Sequence, residues 1–68
     1  MKNNLKMIRK EANMTQVELA ELCEVRQSTI AMIESGTNTP SIKLAKKICR
    51  VLHCTLEDLV GRQSEWTY

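Results

Sequence analysis

Apolar residues recur at intervals of three and four along most of the chain, in five short segments separated by polar residues. Leu5, Ile8 and Ala12 mark the first segment, and the later segments repeat the spacing. This spacing puts the apolar side chains on one face of an α-helix. The sequence therefore predicts an all-α fold of five helices, which begin near Leu5, Gln16, Gln27, Pro40 and Leu56.

Polar residues at the ends of these segments predict where the helices start and stop. Thr15 followed by Glu18 is the pattern of a capping box, which starts the second helix. Asn13 follows the last periodic residue of the first helix, where a left-handed cap is common. Pro40 is expected at the first position of the fourth helix with Thr39 as its N-cap. We expect the first helix to end at about Ala12.

The stretch from 15 to 36 predicts two short helices joined by a tight turn at Glu24 and Val25. In the second of these helices, Ile30 and Ile33 fall on the inward side. The opposite side carries small and amide side chains and no lysine or arginine: Gln27, Ser28, Ala31, Met32 and Ser35. A nearly uncharged exposed face of this kind indicates a surface that contacts another molecule.

This stretch resembles the helix-turn-helix domain of the lambda-repressor and Cro type, the Xre family. The resemblance runs from Leu5 to Val60 and rests on Thr15-Gln16, Leu19-Ala20, Val25, Ile30, Ile33-Glu34-x-Gly36 and Pro40. It implies a five-helix all-α domain that binds operator DNA as a homodimer, with the third helix in the major groove. It further implies a transcriptional regulator, most simply a repressor that blocks a promoter.

Two positions depart from the family pattern. Glu24 stands where the family usually has glycine, and a left-handed backbone there is unfavourable for a residue with a Cβ. Arg26 replaces the usual Ser or Thr cap of the third helix and has no acceptor oxygen. We interpret Arg26 as a positive charge at the DNA surface.

The resemblance places base-reading residues on the third helix, and Gln27 is the foremost of them. A glutamine amide can both accept from adenine N6 and donate to N7. The other predicted base contacts are Ser28, Ala31 and Met32. Phosphate contacts are expected from Gln16 at the start of the second helix, and from Arg26, Ser35, Thr37, Asn38, Lys43, Arg9, Lys6 and Lys10. For any one lysine the alternative is an ordinary solvated face.

Arg9 and Glu34 each lie near the edge of an apolar stripe, where a charge needs a partner. The resemblance implies that they form an ion pair between the first and third helices. That pair would orient the arginine toward the phosphates.

The composition limits the size and class of the protein but does not by itself indicate a particular function. A chain of 68 residues with a formal charge of +2 is one small, mildly basic domain spanning 1–68. Its three cysteines sit in apolar patterns, as reduced thiols do, and no stretch could span a bilayer. Cys49, His53 and Cys54 raise the question of a metal site, but zinc requires four ligands and the remaining cysteine, Cys23, is distant. We expect a cytoplasmic protein without metal, cofactor, membrane or small-molecule partner.

The tail from 62 to 68 holds the only Trp and the only Tyr. Trp66 and Tyr68 alternate with polar residues, which is compatible with a short terminal β-strand pairing. Such large aromatic side chains favour packing on the N-terminus or on a second subunit. With Leu56 and Leu59 they are the predicted dimer interface.

Two other classes remain open from the sequence. One is an antitoxin or another interaction module that also binds DNA and holds a partner protein with its tail. The other is an enzyme, which the sequence disfavours because it has no glycine-rich phosphate loop and no converging catalytic carboxylates.

Overall fold

The computed structural model describes residues 3–60, and these residues form five helices and no strand. The helices are α1 (Leu5–Glu11), α2 (Gln16–Cys23), α3 (Gln27–Glu34), α4 (Ile42–Leu52) and α5 (Leu56–Val60). The predicted all-α fold is confirmed. None of the described helices has the length and apolar character needed to cross a bilayer.

The core is shared among all five helices. Leu5, Leu19, Ile33, Ile48 and Leu59 come from different helices, and each is at most 1% exposed. Val25 lies in the turn between α2 and α3 and packs against this cluster. Because every helix is short, its stability comes from this common core more than from its own hydrogen bonds.

Side-chain caps start α2 and α5. The Thr15 Oγ1 accepts a hydrogen bond from the Glu18 N–H at 3.0 Å, and Glu18 Oε1 accepts from the Thr15 N–H at 2.8 Å. This is the predicted capping box. Thr55 and Asp58 exchange the corresponding pair of bonds at the start of α5.

Within residues 3–60, three residues other than glycine adopt left-handed backbone conformations at the ends of helices. They are Asn13 (φ 57°), Glu24 (φ 60°) and His53 (φ 56°). Asn13 was predicted there, and Glu24 confirms that the turn needs the conformation that glycine adopts most easily. Lys47 of α4 donates a hydrogen bond to Glu24 at 2.9 Å, which ties the turn to α4 and lowers the pKa of the Glu24 carboxyl.

The predicted start of α4 is wrong by two residues. Ser41, and not Thr39, is the N-cap, and its Oγ accepts from the Leu44 N–H at 3.1 Å. Pro40 consequently lies before the cap instead of at the first helical position. The sequence offers two hydroxyl residues around the proline, and Ser41 is the one that reaches an unsatisfied amide of the first turn.

The expected dimer residue Leu59 is also corrected. It is 1% exposed because it fills the core of the protomer, so it has no surface to offer a second subunit. Leu56, on the same helix, is 40% exposed. Trp66, Tyr68 and the suggested strand lie outside the described residues.

Polar contacts join the N-terminal segment to two distant helices. The Asn4 N–H donates to the Leu59 carbonyl at 2.8 Å, and the Asn4 side chain donates to the Asp58 carbonyl at 3.1 Å. The Asn3 side chain donates to the Ile33 carbonyl at 2.8 Å. These bonds hold α1 against the ends of α3 and α5. In this position the Arg9 side chain of α1 reaches Glu34 at the end of α3.

Candidate nucleic-acid interface

The outer face of α3 is uncharged and accessible. Ile30 and Ile33 anchor the helix in the core, which turns Gln27, Ser28 and Met32 outward. Those three side chains are exposed, with Met32 at 38%, while Ala31 is half-buried. The structure therefore brings the four predicted base-reading residues onto one side of one helix.

Arg26 sits at the N-cap of α3 in an extended conformation and is exposed. Its side chain makes no capping hydrogen bond within residues 3–60, as its lack of an acceptor oxygen predicts. The guanidinium therefore remains available for an external anion beside Gln27.

A depression of about 370 Å³ lies at the N-terminal end of α2. It is lined by Arg9, Lys10, Asn13, Met14, Thr15, Gln16, Val17 and Gln27. The N–H groups that open a helix lack intrahelical acceptors and favour an anion. The exposed Lys10 adds positive charge on the same side. The depression thus places the N-terminal end of α2 and the Lys10 side chain directly beside Gln27, the first residue of α3.

The Arg9–Glu34 ion pair is present and buried. Arg9 Nε donates to Glu34 Oε2 at 2.5 Å and Nη2 donates to Oε1 at 3.2 Å, while Nη1 donates to the Met14 carbonyl at 2.7 Å. The two side chains are 8% and 4% exposed. The expectation that Arg9 also contacts phosphate stays a prediction, and in this arrangement its guanidinium donates to Glu34 and to the Met14 carbonyl.

Glu34 also holds the two glutamines of the interface. Gln16 Nε2 donates to Glu34 Oε1 at 3.0 Å, and Gln27 Nε2 donates to Gln16 Oε1 at 3.3 Å. Burial alone would raise the pKa of the Glu34 carboxyl, but hydrogen bonds from Arg9 and Gln16 outweigh it and the pKa is lowered. The sequence did not reveal this chain of bonds, which links the core to the exposed end of α3.

The loop after α3 folds over the end of that helix. The Met32 carbonyl accepts from the Thr37 N–H at 2.9 Å and from the Asn38 N–H at 3.2 Å. The Ser35 and Thr37 hydroxyls are 2.9 Å apart, and Gly36 has the positive φ of 83° that ends the helix. Ser35, Thr37 and Asn38 are thus exposed polar groups held beside Met32 at the rim of the α3 face.

Lys6 and Lys43 complete the predicted phosphate contacts, and both are exposed. Lys6 lies close enough to Glu34 to help lower the pKa of its carboxyl. Lys43 lies in the first turn of α4, which follows the loop at the rim.

The three cysteines lie away from this interface. Cys23 and Cys49 are buried and Cys54 is partly buried. Burial, with a hydrogen bond to the Cys49 thiol, raises the pKa of Cys54 to about 12, and burial raises that of Cys23. Thiols with raised pKa values are poor nucleophiles at neutral pH. Within residues 3–60 no three potential metal-ligating side chains converge.

Comparison with known proteins supports the same interpretation. A regulator from Archaeoglobus fulgidus described as an uncharacterized HTH-type transcriptional regulator is 46% identical over 59 residues, covering 87% of this chain and 83% of the relative. The HTH-type regulator YgzD of Bacillus subtilis is 37% identical over 65 residues, covering 96% and 98%. Antitoxin PezA of Streptococcus pneumoniae is 31% identical over 58 residues, which are 37% of its length.

The fold has a solved counterpart. The N-terminal DNA-binding domain of SinR from Bacillus subtilis superposes with a TM-score of 0.77 at 31% identity, with 88% of each chain covered. The family profile described as Helix-turn-helix matches residues 5–59, which contain all five helices except the last residue of α5. The chain therefore belongs to the Xre-like helix-turn-helix family of DNA-binding transcriptional regulators.

Proposed function

We propose that this protein is a repressor that binds a palindromic operator as a homodimer. Each protomer lays α3 in the major groove, and bound dimers block access to a promoter. The observation that carries this proposal is the exposed uncharged face of α3, with Gln27 at its N-terminal end beside the depression that contains Lys10. Base edges require polar and apolar complementarity at the centre, whereas phosphates require positive charge at the rim.

Gln27 reads a base, with Ser28, Ala31 and Met32 alongside it. Its amide is exposed at the first position of α3, where side chains of helix-turn-helix recognition helices contact base edges. Ser28 adds a hydroxyl, whereas Ala31 and Met32 offer apolar surface suited to a thymine methyl. Gln16, Arg26, Lys6, Lys10 and Lys43, with the polar loop from 35 to 38, contact the phosphates.

The dimer forms around α5, with Leu56 as the accessible apolar residue on that helix. Paired recognition helices in such dimers read half-sites about one helical turn apart, roughly 34 Å. We expect Leu56→Glu to yield a monomer by light scattering after size-exclusion chromatography. The monomer should still bind a half-site but lose the extra affinity for the palindrome.

The defining test selects bound duplexes from a random-sequence pool and measures their affinity by fluorescence anisotropy. Gln27→Ala should weaken the selected site by about 5- to 150-fold, the value of one good base contact, and leave binding to random DNA unchanged. Lys10→Gln should weaken both duplexes, with the log-log salt slope reduced by about 0.9. Arg50→Gln, which removes one positive charge near the C-terminal end of α4, is the matched control. A wild-type protein that selects no sequence would refute the proposal.

A second function has one observation in its favour, the 31% identity to Antitoxin PezA. In this alternative the domain binds DNA and a second surface holds a protein partner. A small protein that copurifies in constant stoichiometry and lowers DNA binding by the purified complex would favour it. Recovery of the chain alone, with full operator affinity, would favour the simple repressor.

A further inference from the structure

Two of the cysteines meet at the C-terminal end of α4. His53 adopts the left-handed conformation that ends the helix, and both its N–H and the Cys54 N–H donate to the Cys49 carbonyl, the latter at 3.0 Å. In helix ends of this kind, the residue that supplies the carbonyl frequently makes an apolar contact with the residue after the left-handed one. Both of those residues are cysteines here, so the local fold brings two thiols together.

The backbone geometry permits a disulfide between these two cysteines. The path through the hydrogen bond limits the distance between the Cα atoms of Cys49 and Cys54 to about 7 Å, the outer limit for a disulfide. Besides burial, the neighbouring Cys49 thiol raises the pKa of the Cys54 thiol, which requires the two groups to be close. All three cysteines are free thiols, and the third, Cys23, is fully buried on α2.

The two thiols of the pair differ in accessibility. Cys49 is 8% exposed and belongs to the core. Cys54 is partly buried and lines a groove of about 790 Å³ that is formed by α1, the end of α4 and the start of α5. The groove therefore gives a reagent access to Cys54, and Cys49 is the buried member of the pair.

The groove carries negative charge. Glu11, Glu57 and Asp58 are exposed carboxylates in its lining, and none of the described residues that line it is a lysine or an arginine. It shares no lining residue with the depression beside Gln27. Carboxylates around a concave site raise the local concentration of cations and lower that of anions. The groove thus favours a cationic reagent over an anionic one of similar size.

We propose that Cys54 is a thiol-exchange site for small cationic disulfides and that Cys49 resolves the product to an intramolecular disulfide. In the first step the Cys54 thiolate attacks one sulfur of the reagent, whose S–S bond breaks and releases a thiol that takes up the Cys54 proton. In the second step the Cys49 thiolate attacks the Cys54 sulfur and releases the second thiol, which takes up the Cys49 proton. The two cysteines are oxidised and the reagent is reduced, and an excess of the small thiol reverses both steps.

The selectivity of this site comes from the groove. The raised pKa of Cys54 keeps most of the thiol protonated at neutral pH, so the exchange depends on binding of the reagent more than on an unusually reactive sulfur. The site uses none of the proposed DNA contacts, and it lies two residues before the first residue of α5. It would therefore give the protein a reversible covalent modification that is separate from the outer face of α3.

The experiment treats the full chain with three disulfides of different charge. They are cystamine, which is cationic, hydroxyethyl disulfide, which is neutral, and dithiodipropionate, which is anionic. Each rate is divided by the rate with a short neutral cysteine peptide, because the leaving thiols differ in pKa. We expect the normalised rate with cystamine to exceed that with dithiodipropionate by about tenfold or more, with the neutral reagent between them.

Mass spectrometry identifies the product. The intact protein should lose about 2 Da, the mass of two hydrogens, and recover it with an excess of cysteamine. Trypsin cuts after Arg50, so digestion without reduction should join the peptide that contains Cys49 to the peptide that contains Cys54, while Cys23 remains free. Cys49→Ala should stop at the mixed disulfide, and Cys54→Ser should not react. Circular dichroism verifies that both variants are folded, and if Cys49→Ala is not, the cross-linked peptides of the wild type decide the role of Cys49.

Charge variants test the selectivity. Glu11→Gln combined with Glu57→Gln should reduce the normalised preference for cystamine severalfold, whereas Asp58 is kept because its carboxylate accepts from the Thr55 N–H at the start of α5. Glu21→Gln removes an exposed carboxylate of α2 outside the groove and, as the matched control, should leave the preference unchanged. A wild type that keeps three free thiols, a cross-link that includes Cys23, or a preference that survives the double variant would overturn the proposal. None of these results depends on whether the protein binds an operator.

Discussion

Replacing Glu34 with alanine leaves the Arg9 guanidinium buried without its carboxylate. The Arg9 side chain is 8% exposed, and two of its three described hydrogen bonds go to Glu34. Removing one partner of a buried pair typically destabilises a protein by about 3–5 kcal/mol, because the remaining charge is neither solvated nor paired. We therefore expect Glu34→Ala to lose that amount of folding free energy.

The size of this loss matters because the domain is small. At about 0.05–0.15 kcal/mol per residue, a chain of this length has roughly 3–10 kcal/mol of stability in total. A domain of this size loses about 4–8 °C of Tm per kcal/mol, so the variant should melt about 12–40 °C lower. Thermal and urea unfolding followed by circular dichroism at 222 nm would measure both quantities.

The control replaces both charges, as Arg9→Met with Glu34→Leu. Apolar side chains of similar volume remove the buried charges together, and such exchanges are often neutral or stabilising. We expect the double variant to lie within about 1 kcal/mol of the wild type. A Glu34→Ala melting curve that matches the wild type, or a double variant that is less stable than Glu34→Ala, would refute the reasoning.

Three further predictions concern the pH dependence of stability, the turn between α2 and α3, and the N-cap of α3. Folding lowers the pKa of Glu34, so its contribution to stability is full above about pH 4.3, the unfolded value, and is lost as the pH falls through the folded pKa. The wild type should therefore lose Tm between about pH 5 and 3 more steeply than the Arg9→Met, Glu34→Leu variant. Parallel Tm profiles of the two proteins would contradict this. Glu24→Gly should raise Tm, because glycine adopts φ 60° freely and the exposed contact with Lys47 contributes little; an unchanged or lower Tm would show that the ion pair outweighs the backbone. Arg26→Ser should add an N-cap worth about 1 kcal/mol and, in the same protein, reduce the salt slope of DNA binding by about 0.9; calorimetry and anisotropy would test the two effects separately.

Local patterns predicted most of the fold because they depend on neighbours along the chain. The Thr15 capping box and the left-handed Asn13 follow from side chains that reach their own backbone within a few residues. The error at Thr39 has the same origin, since Ser41 is a second hydroxyl residue two positions later and is the one that caps α4. Local rules thus locate a helix, but they can misplace its first residue by about half a turn.

The sequence predicted which side chains lie on the outer face of α3 but not the hydrogen bonds that connect them. Periodicity placed Gln27 on an outward face, whereas the resemblance supplied the pairing of Arg9 with Glu34. The bond between Gln16 and Glu34 depends on the side-chain directions of two residues 18 positions apart on α2 and α3, which sequence spacing does not encode. Leu59 illustrates the converse, because its apolar character fitted both a dimer surface and a core, and only its 1% exposure decides.

The hydrogen bonds that join Asn4 to Leu59 and Asp58 also bear on how the protein is made. They connect the first helix to the last, so a chain still being synthesised lacks the partner for its own N-terminal segment until residue 59 has been added. Before that point α1 has neither the Leu59 side chain nor its carbonyl to pack against. The core described here is therefore complete only after α5 has left the ribosome.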